Sequence, residues 1–253
     1  MKALNIFVIF NLVNIILNDV SSGKGWASRY WDCCKPSCAW SNNSGEGNEA
    51  KSCYKDGTVI TDSPYEQSIC TGNGGAHTCM FQIPFVKDGV GYAFGAVPGA
   101  EATGTCGKCF KITFTGEGKF ETQGNHKAIK GKQLIIMASN IGYDVEGGQF
   151  DIMIPGGGVG AFNGCSETLG DNMGERYGGL LSECENEVGY EGGEEEIYLS
   201  RKQCLSKKCS KTFGSNELAL KGCMFLVDFM EAAGNPALEY EPTECPKELK
   251  DLY

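Results

Sequence analysis

Histidine is nearly missing from this chain of 253 residues: His77 and His126 are the only two. Cys106-Gly-Lys-Cys109 is a C-x-x-C, but no second C-x-x-C and no His pair stands at ligand spacing to complete a zinc site. No metal and no cofactor are therefore expected. There is no basic stripe, and the net charge is −10, which argues against nucleic acid as a partner and suits a neutral substrate. No stretch reaches the roughly 20 apolar residues of a membrane span, so no membrane association is expected. The sequence has no internal repeat and no Ser/Thr/Pro-rich linker, so a single module is expected. The run Gly156–Gly158 is followed by no Gly-Lys-Ser/Thr, which excludes a P-loop.

Cysteine and glycine, by contrast, are plentiful: 14 and 36 residues. Glycine at that level without collagen periodicity points to many turns and close backbone approaches, favouring an all-β or loop-rich fold. The N-terminus reads as a secretory leader. Lys2 is its basic residue, 3–17 its apolar core, and Val20 and Ser22 the small residues before a cut at Gly23. The expected organisation is a signal peptide over 1–22 and one domain over 23–253, secreted and extracellular. In an oxidising compartment an even number of cysteines reads as a disulfide framework, here of seven bridges.

Strand patterns occupy the middle of the chain. Phe110, Ile112 and Phe114 alternate with Lys111, Thr113 and Thr115; 134–139 is a short apolar run. In "FDIMIP" the residues Phe150, Ile152 and Ile154 share one face, which turns Asp151 and Met153 to the other. The apolar run 224–230 is expected as a further strand, and several short strands joined by glycine-rich connections suggest a β-barrel. Ser63-Pro-Tyr-Glu66 carries a capping-box pattern that predicts a short helix ending near Cys70. The segment 183–196, with seven glutamates, is expected as a solvated loop, and the stretch after Gly23 as mostly loops.

Two segments carry candidate chemistry. "SRYWDCCKPSCAW", 28–40, sets Asp32 between a Tyr-Trp pair and a vicinal cysteine pair. "FDIMIPGGGVGAFNGC", 150–165, sets Asp151 on a strand before a glycine run whose backbone a ligand could approach closely. Together they resemble the signatures of glycoside hydrolase family 45, the small secreted endoglucanases, which read close to T-R-Y-W-D-C-C-K-P-S-C and F-D-x-x-I-P-G-G-G-V-G-x-F-x-G-C. "RYGGL" (176–180), "GNPAL" (234–238) and "CPKEL" (245–249) follow in the family's order.

The resemblance implies a six-stranded double-psi β-barrel with long disulfide-tied loops and a few short helices. It implies a monomer that cuts internal β-1,4-glucosidic bonds of cellulose or a related β-glucan with inversion. Asp32 would be the general base, Asp151 the general acid and Asp144 an assisting aspartate. Tyr30, Lys35, Trp40, Gln149, Tyr177 and Asn235 would line the groove, and Trp31 would sit in the core. The alternatives are the same chemistry on xyloglucan or glucomannan, or a non-catalytic expansin-like wall-binding protein. The last lacks the base, so Asp32 argues against it. The family pattern pairs Cys33–Cys165, Cys34–Cys70, Cys38–Cys106, Cys53–Cys79 and Cys109–Cys245. It further suggests Cys204–Cys223, which leaves Cys184–Cys209. Two departures stand out: Gln149 replaces a histidine of well-known fungal members, and the usual C-C-x-C reads Cys106-Gly107-Lys108-Cys109.

Overall fold

A computed structural model describes residues 21–97, 104–142, 144–145 and 147–253. The expected leader lies outside these residues except for its last two positions. Among the described residues seven strands form one sheet: β1 (Gly23–Tyr30), β2 (Phe85–Lys87), β3 (Val90–Ala96), β4 (Cys109–Gly118), β5 (Gln133–Asn140), β6 (Gln149–Met153) and β7 (Pro236–Thr243). Their order is β2-β3-β5-β4-β7-β1-β6, and β6 pairs back onto β3. Six strands thus close into a barrel, which removes the open edges a sheet would otherwise present. Strand β2 is an addition at its margin. The pairs β1–β6 and β3–β5 run parallel, and the other pairs antiparallel.

The alternation along β4 sends Phe110, Ile112 and Phe114 inward, where they are fully buried with Leu134, Ile136, Phe150 and Ile152. Phe110 and Phe150 meet edge to face at 5.8 Å, a favoured geometry for aromatic quadrupoles. Closure depends on Gly95, because a Cβ there would stand 2.2 Å from the carbonyl oxygen of Asp151. Only glycine lets β3 cross β6 at the point that carries the second carboxyl group.

Among the described residues six α-helices accompany the barrel: α1 (Ser41–Ser44), α2 (Gly124–Ala128), α3 (Gly179–Val188), α4 (Glu194–Phe213), α5 (Glu217–Asp228) and α6 (Lys247–Lys250). Several differ from the sequence expectations. The run 224–230 is not a strand; its greater part belongs to α5. Asn216 caps that helix by accepting from the N–H of Ala219 at 3.0 Å, and Ala219, Cys223 and Leu226 are buried at helical spacing. The glutamate-rich segment is not one loop but the end of α3 and the start of α4. Glu194, Glu195 and Glu196 occupy the first turn of α4, where the helix dipole favours negative charge. Glu183 and Glu187 of α3 both pair with Lys208 of α4, at 2.8 and 2.7 Å.

Ser63–Glu66 forms turns rather than a helix, because its capping groups have tertiary partners. Ser63 Oγ shares a hydrogen bond with Ser52 Oγ at 2.6 Å, and Glu66 Oε1 accepts from the N–H of Gly75 at 3.0 Å. Directly after Gly23 the chain forms β1, a strand of eight residues, and only then becomes loop-rich.

All fourteen cysteines are paired. Cys33–Cys165, Cys34–Cys70, Cys38–Cys106, Cys53–Cys79 and Cys109–Cys245 are present as the family pattern implies. The expected Cys184–Cys209 and Cys204–Cys223 are not; the bridges are Cys184–Cys204 and Cys209–Cys223. The reason is helical. Cys204 and Cys209 lie five residues apart on α4, which rotates them about 140° from each other. Cys204 therefore meets α3 and Cys209 meets α5, stapling three consecutive helices in series.

Candidate active site

Strands β1 and β6 lie side by side with Ser28 opposite Asp151, and Ala96 of β3 faces Asp151 from its other side. Asp151 thus projects from the seam that closes the barrel. On β1 the period of two carries Ser28 and Tyr30 to the same side, and Asp32 follows just beyond the strand.

The turn at Asp32 is held from several directions. The N–H of Cys34 donates to Asp32 Oδ1 at 2.9 Å, and the N–H of Gly164 donates to the Asp32 carbonyl at 2.8 Å. Cys33 has φ 60°, a left-handed conformation that costs a non-glycine residue of order 1 kcal/mol or more. Its bridge to Cys165 and its neighbour's bridge to Cys70 tie this turn to two other segments.

The glycine run serves chiefly to bring the chain against itself. The N–H of Trp31 donates to the Gly158 carbonyl at 2.7 Å, and a Cβ on Gly157 would stand 2.7 Å from the Tyr30 nitrogen. The loop following Asp151 is thereby pressed against the segment bearing Asp32. Trp31 is in the core, 1% exposed.

A groove of two adjoining lobes crosses this surface, with volumes of about 310 and 550 Å³, in the range of ligand pockets (~300–1,000 Å³). Tyr30, Asp144, Asp151 and Gly160 line both lobes. Asp32, Lys35 and Trp40 belong to the larger, and Gln149, Tyr177 and Asn235 to the smaller. The residues singled out in the sequence are therefore all brought to one groove.

Burial pushes both carboxyl groups upward. Asp32 rises to about 6, opposed by its hydrogen bond from Cys34. Asp151 rises to about 7; burial is again the main cause, a hydrogen bond from Ser28 opposes it, and the charges of Asp144 and Asp32 add to it. Both are raised by burial, but neighbouring negative charge acts further on Asp151 alone, which suits it to be the partner that keeps its proton. Burial and the same two carboxylates push the Tyr30 phenol well above its ordinary value, so it remains a neutral hydroxyl.

The sequence of 24–191 matches the profile described as Glycosyl hydrolase family 45. The chain belongs to that family. Among relatives of family 45, Endoglucanase B of Cellvibrio japonicus is 40% identical over 234 residues, 89% of this chain and 44% of its own length. The chain thus spans less than half of that protein. An endoglucanase of Cryptopygus antarcticus is 33% identical over 96% of this chain and 93% of its own. The crystal structure of a cellulase from the same springtail superposes with a TM-score of 0.71, covering 92% of this chain and 96% of the other at 33% identity.

Within this member of family 45, several groove residues have more specific surroundings than the sequence suggested. Gln149 is buried and donates from Nε2 to Ser28 Oγ at 2.7 Å; Ser28 in turn donates to Asp151 Oδ1 at 2.7 Å. Gln149 thus orients the hydroxyl that grips the carboxyl group. Lys35 is 5% exposed, and its ammonium donates to the carbonyls of Ser63 and Glu66 while lying 3.4 Å from the centre of the Trp40 ring. It packs against the Trp40 ring, and its burial lowers its proton affinity to about 8. Asn235 has φ 48°, a conformation asparagine tolerates better than most residues.

Ser28 and Arg29 were missed in the sequence. Ser28 was detectable, since it stands two and four residues before Tyr30 and Asp32. Arg29 is buried, donates to the Gly178 carbonyl at 3.1 Å, and its charge partly offsets the rise at Asp151.

Proposed function

We propose that this chain is a secreted endo-β-1,4-glucanase that inverts configuration, with residues 23–253 as its catalytic domain. The observation that carries it is the pair Asp32 and Asp151 on one groove, both with proton affinity raised by burial and Asp151 further raised by the charges of Asp144 and Asp32. Glycoside hydrolysis passes through an oxocarbenium-like state and needs one carboxyl group as acid and one as base.

Between about pH 6 and 7, Asp151 keeps its proton and Asp32 has lost its own. Asp151 would pass its proton to the glycosidic oxygen as the bond from the anomeric carbon breaks. Asp32 would take a proton from a water that attacks this carbon from the opposite face. Asp144, through its charge, helps hold the proton on Asp151. Tyr30, Trp40 and Tyr177 offer flat faces on which the C–H faces of sugar rings pack. The printed names of the relatives, endoglucanase and cellulase, support a β-1,4-glucan as substrate. Seven disulfides support an oxidising, extracellular location. Both carboxyl groups come from one chain, which supports action as a monomer.

The test is to count reducing ends released from carboxymethylcellulose, xyloglucan and glucomannan, and to follow the first product by proton NMR. Fastest release from carboxymethylcellulose, with the α-anomer first, is expected. No release from any β-1,4-glucan would overturn the activity, and an initial β-anomer would overturn the base role of Asp32.

A further inference from the structure

The smaller lobe of the groove holds an aromatic residue with no part in the scheme above. Phe120 lines this lobe together with Asp151 and Tyr177, and it is 78% exposed. A single exposed phenylalanine would be ordinary, but Phe120 shares its lobe with Trp26 and the exposed Tyr177, and aromatics grouped on a groove mark a binding surface. We infer that Phe120 forms an additional sugar-binding subsite, gripping one glucose ring of a β-1,4-glucan chain that runs out of the catalytic centre past Asp151. This inference rests on the proposed glucanase activity.

The loop that carries Phe120 is fixed on both sides. Before it, β4 pairs with β7 through Gly118 opposite Pro236, after a register shift that follows Phe114. The N–H of Lys119 donates to the carbonyl of Asn235 at 2.8 Å, and Asn235 lines the same lobe. The N–H of Gly118 donates to Thr122 Oγ1 at 3.2 Å. After it, α2 begins with a capping box between Gln123 and His126, and His126 Nε2 is bonded to the Gly234 carbonyl at 2.7 Å. The segment 118–126 is therefore stitched to 234–236 at three places. The entropy of holding Phe120 outward is met by the fold and not by the ligand.

The surroundings also fit a sugar. The Lys119 ammonium lies 3.5 Å from the centre of the Trp26 ring and 5.2 Å from that of Phe120, so it braces both rings. Trp26 lines the lobe beside them. Aromatic faces with the amide of Asn235 nearby match a ring that is apolar on its C–H faces and polar around its rim. The lobe is continuous with the one holding Asp32, so the occupant that reaches Phe120 is the polymer lying across both carboxyl groups.

The test compares kcat/KM on cellohexaose and cellotetraose for the wild type, Phe120→Ala and Phe120→Tyr. An aromatic contact of this kind corresponds to about two- to tenfold in affinity. The advantage of the hexamer over the tetramer should fall by that factor in Phe120→Ala, mainly through KM. Phe120→Tyr should retain it, since the aromatic face remains. An unchanged ratio in Phe120→Ala, with the wild type active, would overturn the subsite and leave the activity standing. A wild type that cleaves neither oligosaccharide would overturn the activity and the subsite with it.

Discussion

Replacing Asp151 by asparagine should stabilise the protein while stopping its reaction. The fold holds the Asp151 proton up to about pH 7, against an ordinary value of 3.8 in an unfolded chain. Below 3.8 both states are protonated and burial of the carboxyl group costs nothing through ionisation. As pH rises toward 7, the unfolded chain has released its proton and the folded one has not, so stability falls. Above 7 the folded protein carries the full cost of a charged, largely desolvated carboxylate, on the order of 4 kcal/mol. Asparagine has a similar shape, keeps an oxygen to accept from Ser28, and does not titrate. Asp151→Asn should therefore melt roughly 8–16 °C above the wild type at pH 8 by calorimetry, with the difference vanishing near pH 3. Activity should fall roughly 10²–10⁴-fold, the usual contribution of a general acid. Melting curves that stay parallel from pH 3 to 8 would refute the claim that burial is what raises Asp151.

Four further outcomes are expected. The kcat/KM profile should be bell-shaped, lost below about pH 6 as Asp32 takes up its proton and above about pH 7 as Asp151 releases its own. Asp144→Asn removes a negative charge acting on Asp151, so the alkaline limb should move toward acid while the acid limb stays; an alkaline limb that does not move would refute that coupling. Peptide mapping without reduction should find Cys184 joined to Cys204, and removing that pair should cost about 3 kcal/mol of stability yet leave turnover near wild type, whereas loss of Cys33–Cys165 should cut turnover. Lys35→Met leaves the buried carbonyl of Ser63 and the half-buried one of Glu66 without their donor and Trp40 without its brace, so thermal melting should show a loss of roughly 1–3 kcal/mol and kinetics a raised KM.

Much of the site could be read in the sequence because its geometry follows short-range rules. The phase of β6 is set by Phe150, Ile152 and Ile154, all fully buried, and that phase alone turns Asp151 outward. The vicinal cysteines announced a constrained turn at Asp32. What escaped depended on partners distant in sequence. The run 224–230 is apolar enough for a strand, and only the cap at Asn216 and the buried spacing that follows reveal a helix. The capping box at Ser63–Glu66 is genuine as a pattern, but Ser52 and Gly75 compete for its polar groups. The glutamates of 183–196 looked like a solvated run because Lys208, which pairs with two of them, lies on the next helix. Phe120 gave no signal at all, since nothing local distinguishes an exposed aromatic in a groove from one in a core.

The parallel pairing of β1 with β6 joins Ser28 to Asp151 across 123 residues, and the bridge Cys33–Cys165 spans 132. Loops of that length form late, because their closure entropy must be overcome before their contacts form. The helices α3 to α5, linked by bridges that span only 20 and 14 residues, involve far more local closures. In refolding from the reduced state, helical signal should therefore recover well before hydrolysis. A newly made chain would not bring Asp32 and Asp151 together until its barrel had closed, so the proposed catalytic pair would itself report that folding is complete.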